Sequence, residues 1–205
     1  MKSKCLIVSG GDFSPIPSVG PDTFVIACDR GYEHTLRCGV TPDLLVGDLD
    51  SCRVPVDPSI PQLRFPVEKD DTDTLAAIRI AIEQGCTEGT LCCALGGRLD
   101  HTLANIQSLL FAEEHGLHLR ITSADTELCL LRDGSLRLPR REGFSLSVFA
   151  CTERCAGVSI RGAKYPLEEA ELRNSFPLGV SNEWTEEAAE ITVADGTLLI
   201  VLSHL

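Results

Sequence analysis

Residues 90–122 read TLCCALGGRLDHTLANIQSLLFAEEHGLHLRIT, and the fold turns on this stretch. Residues 90–95 are apolar and short, as in a buried strand. Gly96-Gly97-Arg98 breaks the run, and residues 100–115 then place Leu103, Ile106 and Leu110 on one helical face. Gly116 stops the helix, and residues 117–122 are apolar again. Strand, helix, strand in that order predicts a crossover unit of a parallel sheet with helices on its faces.

The same rhythm runs back to the N-terminus. Residues 5–9 and 24–28 read as short buried strands, residues 44–47 as another, and residues 63–66 as an extended piece. Residues 31–38 predict a helix stopped by Gly39 and Pro42. Residues 72–84 predict a second, with Leu75, Ile78 and Ile82 on one face, an acidic start and Gly85 at its end. An α/β domain with a mainly parallel sheet is therefore expected over residues 1–124. Beyond it the pattern becomes all-β. Asp133-Gly134 and Asp195-Gly196 each separate two strand-like runs and predict hairpins. Residues 125–205 are expected to form a small β-sandwich or barrel.

The chain has 205 residues, 43% apolar and 23% charged, which is ordinary for a globular protein. Its net charge of −12 argues against nucleic acid and anionic membranes as partners. An acidic protein that binds phosphates calls for a cation between its carboxylates and the ligand. Neither a targeting segment nor a membrane span is legible. The ten cysteines are scattered, without a Cys-x-x-Cys pair, and several lie in apolar runs. Buried, reduced thiols of a cytoplasmic protein are the expectation.

Ligands of an open parallel sheet gather beyond the carboxyl ends of its strands. Asp and Gly concentrate there: Ser9-Gly10-Gly11-Asp12, Cys28-Asp29-Arg30-Gly31, Gly47-Asp48-Leu49-Asp50 and Gly96-Gly97-Arg98-Leu99-Asp100-His101. Lys69-Asp70-Asp71-Thr72-Asp73 opens a helix. Asp48 and Asp50 share one side of an extended chain and repel unless a cation lies between them. Mg²⁺ suits such oxygen ligands, although a solvated polar loop accounts for a lone Asp-x-Asp. Asp73 serves a metal or merely the helix dipole. Gly10 and Gly11 let a backbone approach a phosphate, or simply make a turn. Arg98 is placed to stabilise phosphoryl charge, and Asp100 is a helix cap or a reacting group. The histidines show no ligand spacing.

Taken in series, Ala27-Cys28-Asp29-Arg30-Gly31, Gly47-Asp48-Leu49-Asp50-Ser51, Lys69-Asp70-Asp71-Thr72-Asp73-Thr74 and Gly96-Gly97-Arg98-Leu99-Asp100-His101 with Asn105 resemble the thiamine pyrophosphokinase family. Gly162-Ala163-Lys164-Tyr165-Pro166 and Val180-Ser181-Asn182-Glu183 extend the likeness to the C-terminal half. The resemblance implies a homodimer that moves the pyrophosphoryl group of ATP onto thiamine, releasing AMP. It implies that Asp48, Asp50 and Asp73 hold Mg²⁺ and that Asp29, Arg30, Lys69, Thr72 and Arg98 line the phosphates. Asp100 would stand at the reacting hydroxyl, and Ser181 and Asn182 would bind thiamine. Tyr165 would stack on thiamine held by the partner subunit, so that active sites lie at the subunit interface. A pterin pyrophosphokinase, a nucleotide-sugar glycosyltransferase and a non-catalytic sensor are the competing readings. The acidic set at residues 70–73 disfavours the second, and Arg98 beside Asp100 the third.

Overall fold

The computed structural model describes residues 2–64 and 71–205. The chain divides into two compact units, Met1–Ala124 and Asp125–Leu205. Described residues are mostly strand, with three α-helices.

In the first unit the strands are β1 (Lys4–Val8), β2 (Thr23–Cys28), β3 (Leu44–Val46), β4 (Gln62–Leu63), β5 (Glu88–Cys92) and β6 (His118–Thr122). They lie in the order β6-β5-β1-β2-β3-β4, and every neighbouring pair is parallel. The helices are α1 (Gly31–Arg37), α2 (Asp73–Glu83) and α3 (Leu99–Glu114). The chain steps one way along the sheet through α1 and the other way through α2 and α3. Right-handed crossovers therefore put α1 on one face and the packed pair α2 and α3 on the other. Ile7, Ile26, Ile78, Leu91, Leu109 and Ile121 are fully buried between sheet and helices.

Both long helices bury faces rotated from those the apolar spacing predicts, although Ile78 is fully buried as expected. The buried residues of α2 are Thr74, Ala76, Ala77, Ile78 and Ala81, so small side chains bring it close to the sheet; Leu75 and Ile82 lie at its flanks. On α3 the buried residues are Asn105, Ser108, Leu109 and Ala112, whereas Leu103 is 55% exposed. Asn105 decides this rotation. Its Nδ2 donates to the Ala94 carbonyl at 2.7 Å, and a satisfied polar group is as good a core residue as an apolar one.

The second unit consists of β7 (Thr126–Pro139), β8 (Phe144–Ala150), β9 (Arg154–Arg161), β10 (Leu167–Arg173), β11 (Gly179–Asn182) and β12 (Ala188–His204). β7 and β12 pair antiparallel along nearly their whole lengths. The early half of β12 continues to β9 and β10, and its late half to β8 and β11. One core, with Leu146, Val148, Ile160, Ile191 and Ile200, fills the space enclosed. The two Asp-Gly pairs make no hairpin turn. Both sit inside continuous strands, where Asp133 has φ 43 and the β7–β12 register shifts between Val193 and Thr197. Gly196 N donates to Asp133 Oδ1 at 2.9 Å across this bend. The positive φ that suits Asp-Gly to a hairpin serves equally to bulge and bend a long strand.

Candidate active site

The strand ends of the first unit are tied to one another. Gly11 N donates to the Cys93 carbonyl at 2.7 Å and Asp12 N to the Leu95 carbonyl at 3.0 Å, which fastens the loop after β1 to the loop after β5. Ser9 Oγ and Thr74 Oγ1 lie 2.7 Å apart, joining β1 to the first turn of α2. A side chain on Gly96, which has φ 78, would start 2.1 Å from Asp12 Oδ2. Only glycine lets the two loops meet this closely.

His34, which shows no ligand spacing in sequence, has a part in this rim. It is buried, and its Nε2 donates to the Gly11 carbonyl at 3.0 Å. Its Nδ1 is buried without a hydrogen-bond partner among the described residues. Burial holds the imidazole below its usual pKa, and the neutral ring with Nε2 protonated satisfies the carbonyl.

The acidic residues form two pairs. Asp29 follows β2 with φ 45, and the carboxyl of Asp73, at the start of α2, lies close enough to act on its titration. Leu49 N donates to Asp29 Oδ1 at 3.2 Å, and Gly47, at φ 123, leaves room for the Asp29 carboxyl. Burial is the main cause that pushes Asp29 up to about 7, followed by the neighbouring Asp73 carboxyl and the charge of Asp48. Asp48 and Asp50 form the second pair. Asp50 N donates to Asp48 Oδ1 at 3.0 Å, and the Asp48 carboxyl beside Asp50 raises its pKa. The charge of Asp73 acts in the same direction on Asp50. Among the described residues no three His, Cys, Asp or Glu side chains form a ready-made metal cage. Four carboxyls within each other's fields, with Asp29 and Asp50 raised above their usual pKa, nevertheless fit a hard cation, which would supply the missing counter-charge.

Thr72 caps α2, its hydroxyl accepting from Leu75 N at 3.2 Å, so Asp73 is a first-turn residue rather than the cap. Arg30 precedes α1, and Gly10 packs on its Cβ. Lys69 lies outside the described residues, as does Asp70. Asp100 is not the cap of α3. Arg98 occupies that position with an extended backbone, and its guanidinium grips Asp100 through Nε to Oδ1 at 3.1 Å and Nη2 to Oδ2 at 2.5 Å. That contact holds the Asp100 carboxyl below the usual range, and His101 N also donates to Asp100 Oδ1. Both side chains are exposed.

In the second unit Tyr165 and Ser181 are exposed, and Ser181 has φ 58. Asn182, expected as a thiamine contact, is buried with its amide turned toward the Tyr165 backbone. Sequence reasoning missed His34 as a part of the rim and gave Asp12 and Gly47 no individual role. Asp12 and Gly47 belong to quoted Asp/Gly clusters, whereas nothing near His34 signals its bond to Gly11.

Comparison with known proteins follows the same division. The family described as thiamin pyrophosphokinase, catalytic domain, matches residues 20–121. The thiamin pyrophosphokinase vitamin B1 binding domain matches residues 135–198. A thiamine pyrophosphokinase of Bacillus subtilis (strain 168) is 27% identical, covering 96% of this chain and 97% of its own length. The crystal structure of the Bacillus subtilis enzyme superposes with a TM-score of 0.88 at 24% identity, over 98% of this chain and 99% of that one. That of thiamin pyrophosphokinase from Geobacillus thermodenitrificans gives 0.85 at 26% identity, over 98% of both chains.

Proposed function

The chain belongs to the thiamin pyrophosphokinase family, and we propose that it gathers Mg-ATP at the strand-end carboxylates and presents it to thiamine. The reaction moves the pyrophosphoryl group of ATP to the hydroxyl of thiamine. The hydroxyl oxygen bonds to the β-phosphorus, the bridge from the α-phosphorus breaks, AMP leaves and the hydroxyl proton is lost. The observation that carries the site assignment is the mutual pairing of Asp29 with Asp73 and of Asp48 with Asp50 at neighbouring strand and helix ends.

In this reading Asp48, Asp50 and Asp73 hold Mg²⁺, which neutralises and orients the phosphate oxygens. Asp29 and Thr72 complete the wall, and Gly10 lets the backbone approach the phosphates, whereas the Gly11 amide is held by the Cys93 carbonyl and serves the loop itself. Arg30 and Lys69 add positive charge that an acidic chain otherwise lacks. Arg98 meets the charge that grows as the bridge breaks, and its planar fork suits phosphate oxygens better than a point charge. The ion pair keeps Asp100 ionised, ready to accept a hydrogen bond from the thiamine hydroxyl and orient it for attack. Tyr165 offers a face to the cationic thiazolium of thiamine bound by the partner subunit, with Ser181 beside it. Two copies of the chain would then form a homodimer with shared sites. The ten cysteines form no disulfide among the described residues, which fits a reducing cytoplasmic setting.

Incubating the purified protein with Mg-ATP and thiamine tests the reading. Equal amounts of AMP and thiamine diphosphate are expected. ADP with thiamine monophosphate, or turnover of a hydroxymethyl pterin instead of thiamine, would overturn it.

A further inference from the structure

We infer that Asn182 is a positioning residue that sets Tyr165 for the substrate and does not itself meet it. The inference rests on the reading of Tyr165 as the side chain that stacks on thiamine. Asn182 ends β11 and is 4% exposed. Its Oδ1 accepts from Tyr165 N at 2.9 Å and from Glu183 N at 3.0 Å, while its Nδ2 donates to the Tyr165 carbonyl at 2.8 Å. Both acceptor positions of the amide oxygen and one of the two N–H donors are thus committed to main chain. Turning toward a ligand would break three bonds at once and leave buried polar groups unpaired.

The same two segments are laced on either side of this clamp. Lys164 N donates to the Glu183 carbonyl at 2.9 Å, Thr185 N donates to the Gly162 carbonyl at 3.0 Å, and Ala163 bridges Trp184. Lys164 Nζ is held by Glu183 Oε1 at 2.9 Å. What the lacing leaves in solvent is Tyr165, 59% exposed, with Lys164 Nζ 5.6 Å from its ring centroid. An exposed ring on a loose turn would have to be ordered by each arriving substrate. Asn182 orders the turn beforehand, so its contribution belongs to thiamine binding rather than to the chemical step.

Two measurements test this. In steady-state kinetics Asn182→Ala should raise the KM for thiamine about tenfold, the scale of one lost cation–ring contact, with kcat unchanged within about twofold. Asn182→Asp keeps the acceptor and loses the donor, and should fall between. In a Tyr165→Ala background Asn182→Ala should add nothing to the KM. Full additivity there would mean that Asn182 touches thiamine directly, and would overturn the inference. The second measurement is fluorine NMR of protein labelled with 3-fluorotyrosine. The chain has only two tyrosines, and Tyr32 is buried. Asn182→Ala should move the Tyr165 resonance toward that of the free amino acid while Tyr32 stays put. An unmoved Tyr165 signal, with Tyr165→Ala still raising the KM, refutes the clamp and leaves the stacking reading intact. An unmoved KM in Tyr165→Ala, with the fluorine signal still sensitive to Asn182, refutes the stacking reading and with it the substrate role of the clamp. Should the alanine variant not fold, Asn182→Asp carries both measurements.

Discussion

The carboxyl of Asp29 is half-buried beside that of Asp73, and burial and the neighbouring carboxyl both disfavour its ionised form. Asp29 keeps its proton up to about pH 7 in the folded chain and loses it well below that when unfolded. The folded state therefore binds the extra proton, and this stability is present at low pH and lost as pH rises through about 7. Asp29→Asn imitates the protonated form at every pH. In EDTA, wild type and Asp29→Asn should converge as pH falls to about 4, and the variant should be the more stable at pH 8. Differential scanning calorimetry across that range checks it, and a gap that closes with rising pH would be the wrong sign.

Gly47 should be intolerant of any side chain. Its φ of 123 disfavours other residues, and a Cβ there would lie 2.0 Å from Asp29 Oδ1. Gly39 is the control, with φ 67 and nothing within 4 Å. Gly39→Ala should cost about 1 kcal/mol for its backbone alone, and Gly47→Ala about 2 kcal/mol or more together with a large loss of turnover. Equal costs in urea unfolding would show that Asp29 moves aside freely.

How much of this was legible in sequence follows from what each pattern encodes. Alternating strand and helix runs announce a parallel sheet because both periods come from backbone geometry. Glycine and aspartate at strand ends are visible for the same reason. The faces of α2 and α3 were not legible. Apolar spacing finds the greasiest stripe, and here Ala77, Ala81 and the tethered Asn105 pack against the sheet while Leu103 faces solvent. The Asp-Gly pairs at residues 133 and 195 mislead because local chain chemistry specifies a positive φ, and pairing with a distant strand decides between turn and bulge. Likewise the sequence places Asp29 and Asp73 at two ends but says nothing of how they act on each other. It also does not show that the Asn182 amide is already occupied.

Arg98 should matter to the chemical step and not to folding, since its side chain is exposed and pairs with the equally exposed Asp100. Arg98→Ala should lower kcat at least about 100-fold, the scale of a lost transition-state charge contact. Arg98→Lys should recover part of it, because an ammonium supplies charge without the fork. Losing Arg98 lets the Asp100 pKa rise toward its ordinary value, still well below neutral, so assays at pH 7–8 isolate the guanidinium itself. Wild-type kcat in both variants would make Arg98 a bystander.

The shared site gives the most demanding prediction. Asp50 lies in the first unit, and Tyr165 in the second. If thiamine is held between Asp50 of one chain and Tyr165 of its partner, damage to the two residues can be sorted by mixing. Asp50→Asn should lower turnover about 100-fold at any thiamine concentration, since phosphate neutralisation is lost. Tyr165→Ala should raise the KM for thiamine far more than that for ATP, since only the cation's aromatic face is removed. When subunits of the two variants exchange, a mixed dimer has one site with both residues intact and one with both damaged. Random 1:1 reassortment makes half the dimers mixed, so about a quarter of all sites become wild-type-like. Activity at low thiamine should then rise well above the sum of the separate variants. Native mass spectrometry reports whether exchange took place. Confirmed exchange without that rise would place Tyr165 within its own chain's site or outside any site.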